Sequence, residues 1–125
     1  MFPSHDRGGD LYRSTDYGLT WIKVHNATTL DGVFEIIYCG NGIVIAGVGN
    51  GADDGDVLRS TDYGVTWTQI SLDSAYEVVY SLEYCGNGIV LAGMGSGSGD
   101  GDVYRSTDYG ATWSIADTLQ SLEAL

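Results

Sequence analysis

The sequence predicts an all-β chain of repeated four-stranded antiparallel units, and three observations predict it. The first is a recurring stretch. "GDLYRSTDYGLTW" at 9–21 returns as "GDVLRSTDYGVTW" at 55–67 and "GDVYRSTDYGATW" at 101–113, with ten of the thirteen positions identical in all copies. The interval is constant, since Asp16 to Asp62 and Asp62 to Asp108 are both 46 residues. The second is a shorter echo, "CGNGIVIAG" at 39–47 against "CGNGIVLAG" at 85–93. The third is composition: 19 glycines against a single proline in 125 residues, which suits short strands joined by tight turns. Hydrophobic residues, at 43%, suffice for a packed core.

Each unit divides into four strand-like runs. The first is "VFEIIYC" (33–39), matched by "VYSLEYC" (79–85). The "GNG" that follows carries an Asn-Gly pair between apolar runs, a strong hairpin signal. The second run is "IVIAGV" (43–48), and a glycine- and aspartate-rich loop leads to the third, "DVLRST" (56–61). The turn "DYG" then leads to the fourth, "VTWTQI" (65–70). Four antiparallel strands in about 40–45 residues, repeated, are the signature of a propeller blade. The apolar runs show little strict alternation, as expected of strands covered on both faces. No stretch before residue 115 carries helical periodicity.

The expected layout is therefore a β-propeller segment over 1–116: a half blade at 9–24 and full blades at 33–71 and 79–116. The tail at 117–125 has two readings. "LQSLEAL" is similar to "VYSLEYC" and would start a further blade on a partner chain. Alternatively, Leu119, Leu122 and Leu125 share the face of a short helix capped by Asp117 or Thr118. About two and a half blades leave apolar sheet faces bare at both ends, and a propeller closes with roughly four to eight blades. Ring closure by homo-oligomerisation is expected, a dimer ahead of a trimer; the other reading is a fragment of a longer protein.

The thirteen-residue motif has a physical reading as a clip. An aspartate at a strand end accepts backbone N–H groups just downstream. The glycine two residues later takes the positive φ of a tight turn, and the tryptophan lays an apolar plate over it. The pattern S-T-D-x-G-x-T-W, at 14–21, 60–67 and 106–113, resembles the Asp-box, or bacterial neuraminidase repeat. That family of β-propellers includes sialidases, xyloglucan-cleaving glycosidases, sortilin-type receptor domains and photosystem assembly factors. The resemblance implies a structural role for Ser14, Asp16, Gly18 and Trp21, for Ser60, Asp62, Gly64 and Trp67, and for Ser106, Asp108, Gly110 and Trp113. In those families the box joins the third and fourth strands, away from the ligand face, so it does not by itself name an activity.

Seventeen acidic side chains against five basic ones give a formal charge of −12. Such a surface repels nucleic acid and anionic membrane and favours cations or basic partners. "MFPSHDRGGD" lacks an apolar run of signal-peptide length, and nothing later is long enough to span a bilayer; the compartment stays open.

The candidate chemistry is sparse. The box aspartates recur in every unit, whereas a ring has one active site, so they read as structure. Arg13, Arg59 and Arg105 each precede the box serine and read as stacking on an aromatic ring or pairing with an acid. The second-to-third strand loops, "GNGADDGD" (49–56) and "GSGSGDGD" (95–102), bring Asp53, Asp54, Asp56, Asp100 and Asp102 close together. By the resemblance these loops lie on the face where ligands bind. Their oxygens suit a weak calcium site or a solvated acidic loop. Tyr17, Tyr63 and Tyr109 replace a glycine that many Asp-boxes carry, and three equivalent rings suit stacking on glycans or shielding the turn.

His5 and His25 have no companion at ligand spacing and read as exposed loop residues. Cys39 and Cys85, again 46 apart, read as buried free thiols. Glu35 breaks the repeat opposite Ser81, and with Glu77 and Glu83 forms the one carboxylate set worth testing against glycosidase geometry. The function expected is non-enzymatic, a scaffold or binding module with glycans as a candidate ligand. The alternative is a fragment of a sialidase-like or xyloglucanase-like glycoside hydrolase.

Overall fold

A computed structural model describes residues 2–3, 10–25, 32–49, 55–73, 78–95 and 101–119. Every described element is a strand. In chain order they are β1 (Phe2–Pro3), β2 (Leu11–Arg13), β3 (Ile22–His25), β4 (Gly32–Gly40), β5 (Ile43–Gly49) and β6 (Gly55–Ser60). They continue as β7 (Thr68–Asp73), β8 (Val78–Gly86), β9 (Ile89–Gly95), β10 (Gly101–Ser106) and β11 (Ser114–Leu119). All pairings are antiparallel between chain neighbours, giving a first sheet β1-β2-β3, a middle sheet β4-β5-β6-β7 and a last sheet β8-β9-β10-β11. The latter two are the four-stranded blades of a β-propeller segment.

Three details depart from the sequence reading. The fourth strand begins at Thr68 rather than Val65, because Val65–Trp67 are consumed in closing the turn. β11 runs through Leu119, so residues 117–119 are strand; residues 120–125 lie outside the described residues. The first sheet also holds a second-strand element, since Phe2 and Pro3 pair with Tyr12 and Leu11.

The hairpin between β4 and β5 turns on Asn41 and Gly42, both at positive φ (55° and 80°), as two-residue turns between twisted strands require. An apolar cluster of Leu11, Ala46, Val48 and Leu58 joins the first sheet to the middle one. A second cluster, built around Cys39, Ile45, Val57, Val79, Leu82 and Val90, joins the middle sheet to the last. Gly47 permits the second junction: a Cβ there would sit 2.7 Å from Val79 Cγ1 and 3.1 Å from the Val79 carbonyl oxygen.

Position in the stack controls burial. Val44 through Gly49 of β5 are all buried, whereas β9, nearly identical in sequence, alternates between buried and half-buried residues. Among the described residues, the middle sheet is covered on both faces and the last sheet on one. The same asymmetry corrects the reading of the cysteines. Cys39 is buried in the junction, and Cys85, its counterpart on the uncovered sheet, is exposed. Burial pushes the Cys39 thiol above its ordinary pKa, with the Arg59 charge opposing.

Candidate functional site

The meander places two kinds of turn at opposite ends of each sheet. The Gly-Asn-Gly and S-T-D-Y-G turns share one end, and the strand ends Gly49, Gly55, Gly95 and Gly101, which flank the acidic stretches, lie at the other.

At the first end, the three S-T-D-Y-G turns are built from the same bonds. In the middle sheet, Ser60 Oγ accepts from Gly64 N (2.8 Å) and Asp62 N (3.2 Å) and donates to Asp62 Oδ1 (2.7 Å). Asp62 Oδ1 also accepts from Thr66 N (2.9 Å), and its Oδ2 from Thr66 Oγ1 (2.6 Å). Trp67 Nε1 then donates to the Gly64 carbonyl at 2.9 Å. The set recurs around Asp16, with Ser14, Gly18, Thr20 and Trp21. It recurs again around Asp108, with Ser106, Gly110, Thr112 and Trp113. Both carboxylate oxygens are thus spent inside the turn.

The bonds from the threonine hydroxyl and then the threonine N–H hold Asp16, Asp62 and Asp108 at about 2, below the ordinary 3.8. A depressed folded-state pKa contributes stability that is complete above the unfolded value and is lost as pH falls through the folded one. Thermal unfolding followed against pH should show the melting temperature dropping between about pH 4 and pH 2, and less steeply in Asp62→Asn than in the parent. A parent melting temperature unchanged across that window would contradict this account of the turns.

Tyr17, Tyr63 and Tyr109 sit at φ near +60° (60°, 62° and 60°), a left-handed conformation that costs a bulky residue roughly 1–2 kcal/mol. Two of them have compensating partners. Tyr63 N donates to the Gly42 carbonyl (2.9 Å) and Tyr109 N to the Gly88 carbonyl (2.9 Å). Their rings stack on Tyr38 and Tyr84, with centroids 6.2 and 6.1 Å apart. These rings tie the two turns of a blade together. Tyr17 has no such neighbour among the described residues, and its side chain is 105% exposed.

The arginines do something the sequence reading missed. Arg13 Nε donates to the carbonyl of Tyr63 (2.8 Å), and Arg59 Nε to the carbonyl of Tyr109 (2.8 Å). Each clamps the turn of the next sheet, fifty residues on, instead of pairing with an acid or stacking on a ring. Constant 46-residue spacing combined with an Arg-Ser at each strand end was the available signal. Beside each clamp is a crevice. Arg59, Thr61, Thr66, Thr68, Ile70 and Ala111 line one of about 300 Å³. The residues 46 earlier, Arg13, Thr15, Thr20, Ile22, Val24 and Val65, line one of about 180 Å³.

At the opposite end, the structure places one buried aspartate at the start of each third strand: Asp10, Asp56 and Asp102, at 4%, 1% and 7% exposure. Asp10 was not singled out by the sequence reading. Their partners differ although their positions match. Lys23 Nζ bonds Asp10 Oδ2 (2.9 Å), Gln69 Nε2 bonds Asp56 Oδ2 (2.5 Å), and the equivalent position in the last sheet is Ile115. Asp56 Oδ1 is buried without a hydrogen-bond partner. Asp53, Asp54 and Asp100 lie outside the described residues. Among the described residues, no three metal-ligating side chains form a group that could hold a metal ion.

Glu35 and Glu83 come together with Ser81 along a cavity of about 290 Å³; Glu77 lies outside the described residues. Glu35 Oε1 accepts from Leu82 N at 3.1 Å, across the junction between sheets. His25 ends β3 and is half-buried rather than in an exposed loop; burial lowers its pKa, with the Asp10 charge opposing. His5 lies outside the described residues.

No protein-family model matches the sequence, and no curated protein matches it. Among solved structures, the chain is similar to YCF48 bound to D1 peptide, a β-propeller, with a TM-score of 0.58 and 24% identity. The match covers 87% of this chain and 33% of that one, so this chain spans about a third of its length. The likeness shows a shared propeller fold.

Proposed function

We propose that the chain is a non-enzymatic propeller module of Asp-box type that acts as a scaffold or binding surface, assembled with copies of itself. The observation that carries this reading is the fate of the repeated carboxylates. Asp16, Asp62 and Asp108 spend both oxygens on their own turns, and Glu35 holds the neighbouring sheet. Groups committed in this way serve structure better than proton transfer.

A formal charge of −12 favours a basic partner. YCF48, similar in fold, was solved with a peptide bound, which supports a peptide as the ligand class, and the charge of this chain favours a basic one. The end of the sheets that carries the acidic stretches 49–56 and 95–102 is the surface proposed to receive it, and Asp53, Asp54, Asp56, Asp100 and Asp102 are the residues a calcium ion would use there. Glycan stacking has one supporting observation, the uncovered ring of Tyr17.

Fluorescence anisotropy with a labelled lysine-rich peptide tests the proposal. Saturable binding that weakens severalfold from low to physiological salt is expected, as is none to an acidic peptide of equal length. Absence of binding to the basic peptide, together with hydrolysis of a fluorogenic sialoside that Glu35→Gln abolishes, would reverse the reading in favour of a glycoside hydrolase.

A further inference from the structure

We propose that the uncovered face of the last sheet takes the first sheet of a second copy, head to tail. Arg105 donates its Nε–H to the main-chain carbonyl of the partner's Tyr17, and Leu91 seats on the partner's Gly18. The inference rests on the self-assembly reading above and assigns its interface.

Three recurrences support it. The first is the arginine clamp, which repeats at both internal junctions with the same geometry, Arg13 to Tyr63 and Arg59 to Tyr109 at 2.8 Å each. The next arginine in the series, Arg105, is exposed, and among the described residues neither Arg105 nor the Tyr17 carbonyl has a clamp partner. The second is steric. Ile45 Cδ1 occupies the space a Cβ on Gly110 would need. One period on, Leu91 lies on the uncovered face, and around Gly18 the nearest atom to a Cβ would be Trp21 Cζ2 at 3.6 Å. The third is the crevice. Val65 and Ala111 close the two internal crevices from the far side. Leu19, their counterpart in the first sheet, is 83% exposed.

The two ends therefore carry complementary halves of the contact that already holds the sheets together. A head-to-tail contact is heterologous and closes into a ring when its rotation allows. Two copies of three sheets would supply six blade positions, within the roughly four to eight that propellers use.

Light scattering on a sizing column, across a concentration series, is the test. The parent should give twice 13.3 kDa or a higher multiple. Arg105→Ala and Leu19→Asp should each weaken association by about tenfold or more with circular dichroism unchanged. Mixing the two variants should restore a dimer, because one keeps an intact head and the other an intact tail. Added salt should strengthen association, since each copy carries −12; this is opposite in sign to the peptide test. A parent that stays monomeric would overturn self-assembly as a whole. A parent that associates unaffected by both substitutions, or variants that fail to complement, would overturn the head-to-tail interface alone.

Discussion

Ile45→Ala should cost about 2–5 kcal/mol of folding stability, while Leu91→Ala, the same position one repeat later, should cost less than half as much in the dissociated chain. Ile45 is fully buried and packs in the cluster with Val57 and Val79 that joins the middle and last sheets. It also fills the space over Gly110, so its removal leaves a cavity under the turn of the next sheet. Leu91 has the same neighbours along its own strand but no sheet over it, and water fills the space its side chain leaves. Urea unfolding of both variants below the association range is the measurement. Equal losses would mean that burial between sheets does not control the energetics of this repeat.

Ser60→Ala should cost about 1–3 kcal/mol, because it strands the buried Gly64 N–H and removes one of the two bonds to Asp62 Oδ1. Ser60 is 1% exposed. Ser14 makes the same bonds around Asp16 but is only half-buried, so solvent can replace part of what Ser14→Ala removes. The serine series should therefore grade with burial. A Ser60→Ala variant as stable as the parent would show that the serine does not organise the turn.

Much of the fold was legible because its signals are local and periodic. The Asn-Gly pair at 41–42 names its own turn, and the three copies of S-T-D-Y-G name theirs. The strand that began late, at Thr68, was misjudged because Val65 and Trp67 are strand-forming residues whose propensity yields to the turn's hydrogen bonds. The arginine clamps were legible only as an Arg-Ser recurring at each strand end; their acceptor is a main-chain carbonyl fifty residues on, which no side-chain pattern marks. The candidate site was read less fully. Asp56 and Asp102 stood out beside other acids, but Asp10 and its ion pair with Lys23 required the first sheet to be folded.

The sequence alone determined the repeat, the strand count per unit and the self-contained bonding of each turn, since these depend on residues within a few positions of one another. The tertiary structure alone decided which copies are covered. Cys39 and Cys85, Ile45 and Leu91, and Tyr63 and Tyr17 occupy equivalent repeat positions yet differ in exposure. Burial is a property of what lies across the junction, and one unit of a repeat does not encode whether another is stacked against it.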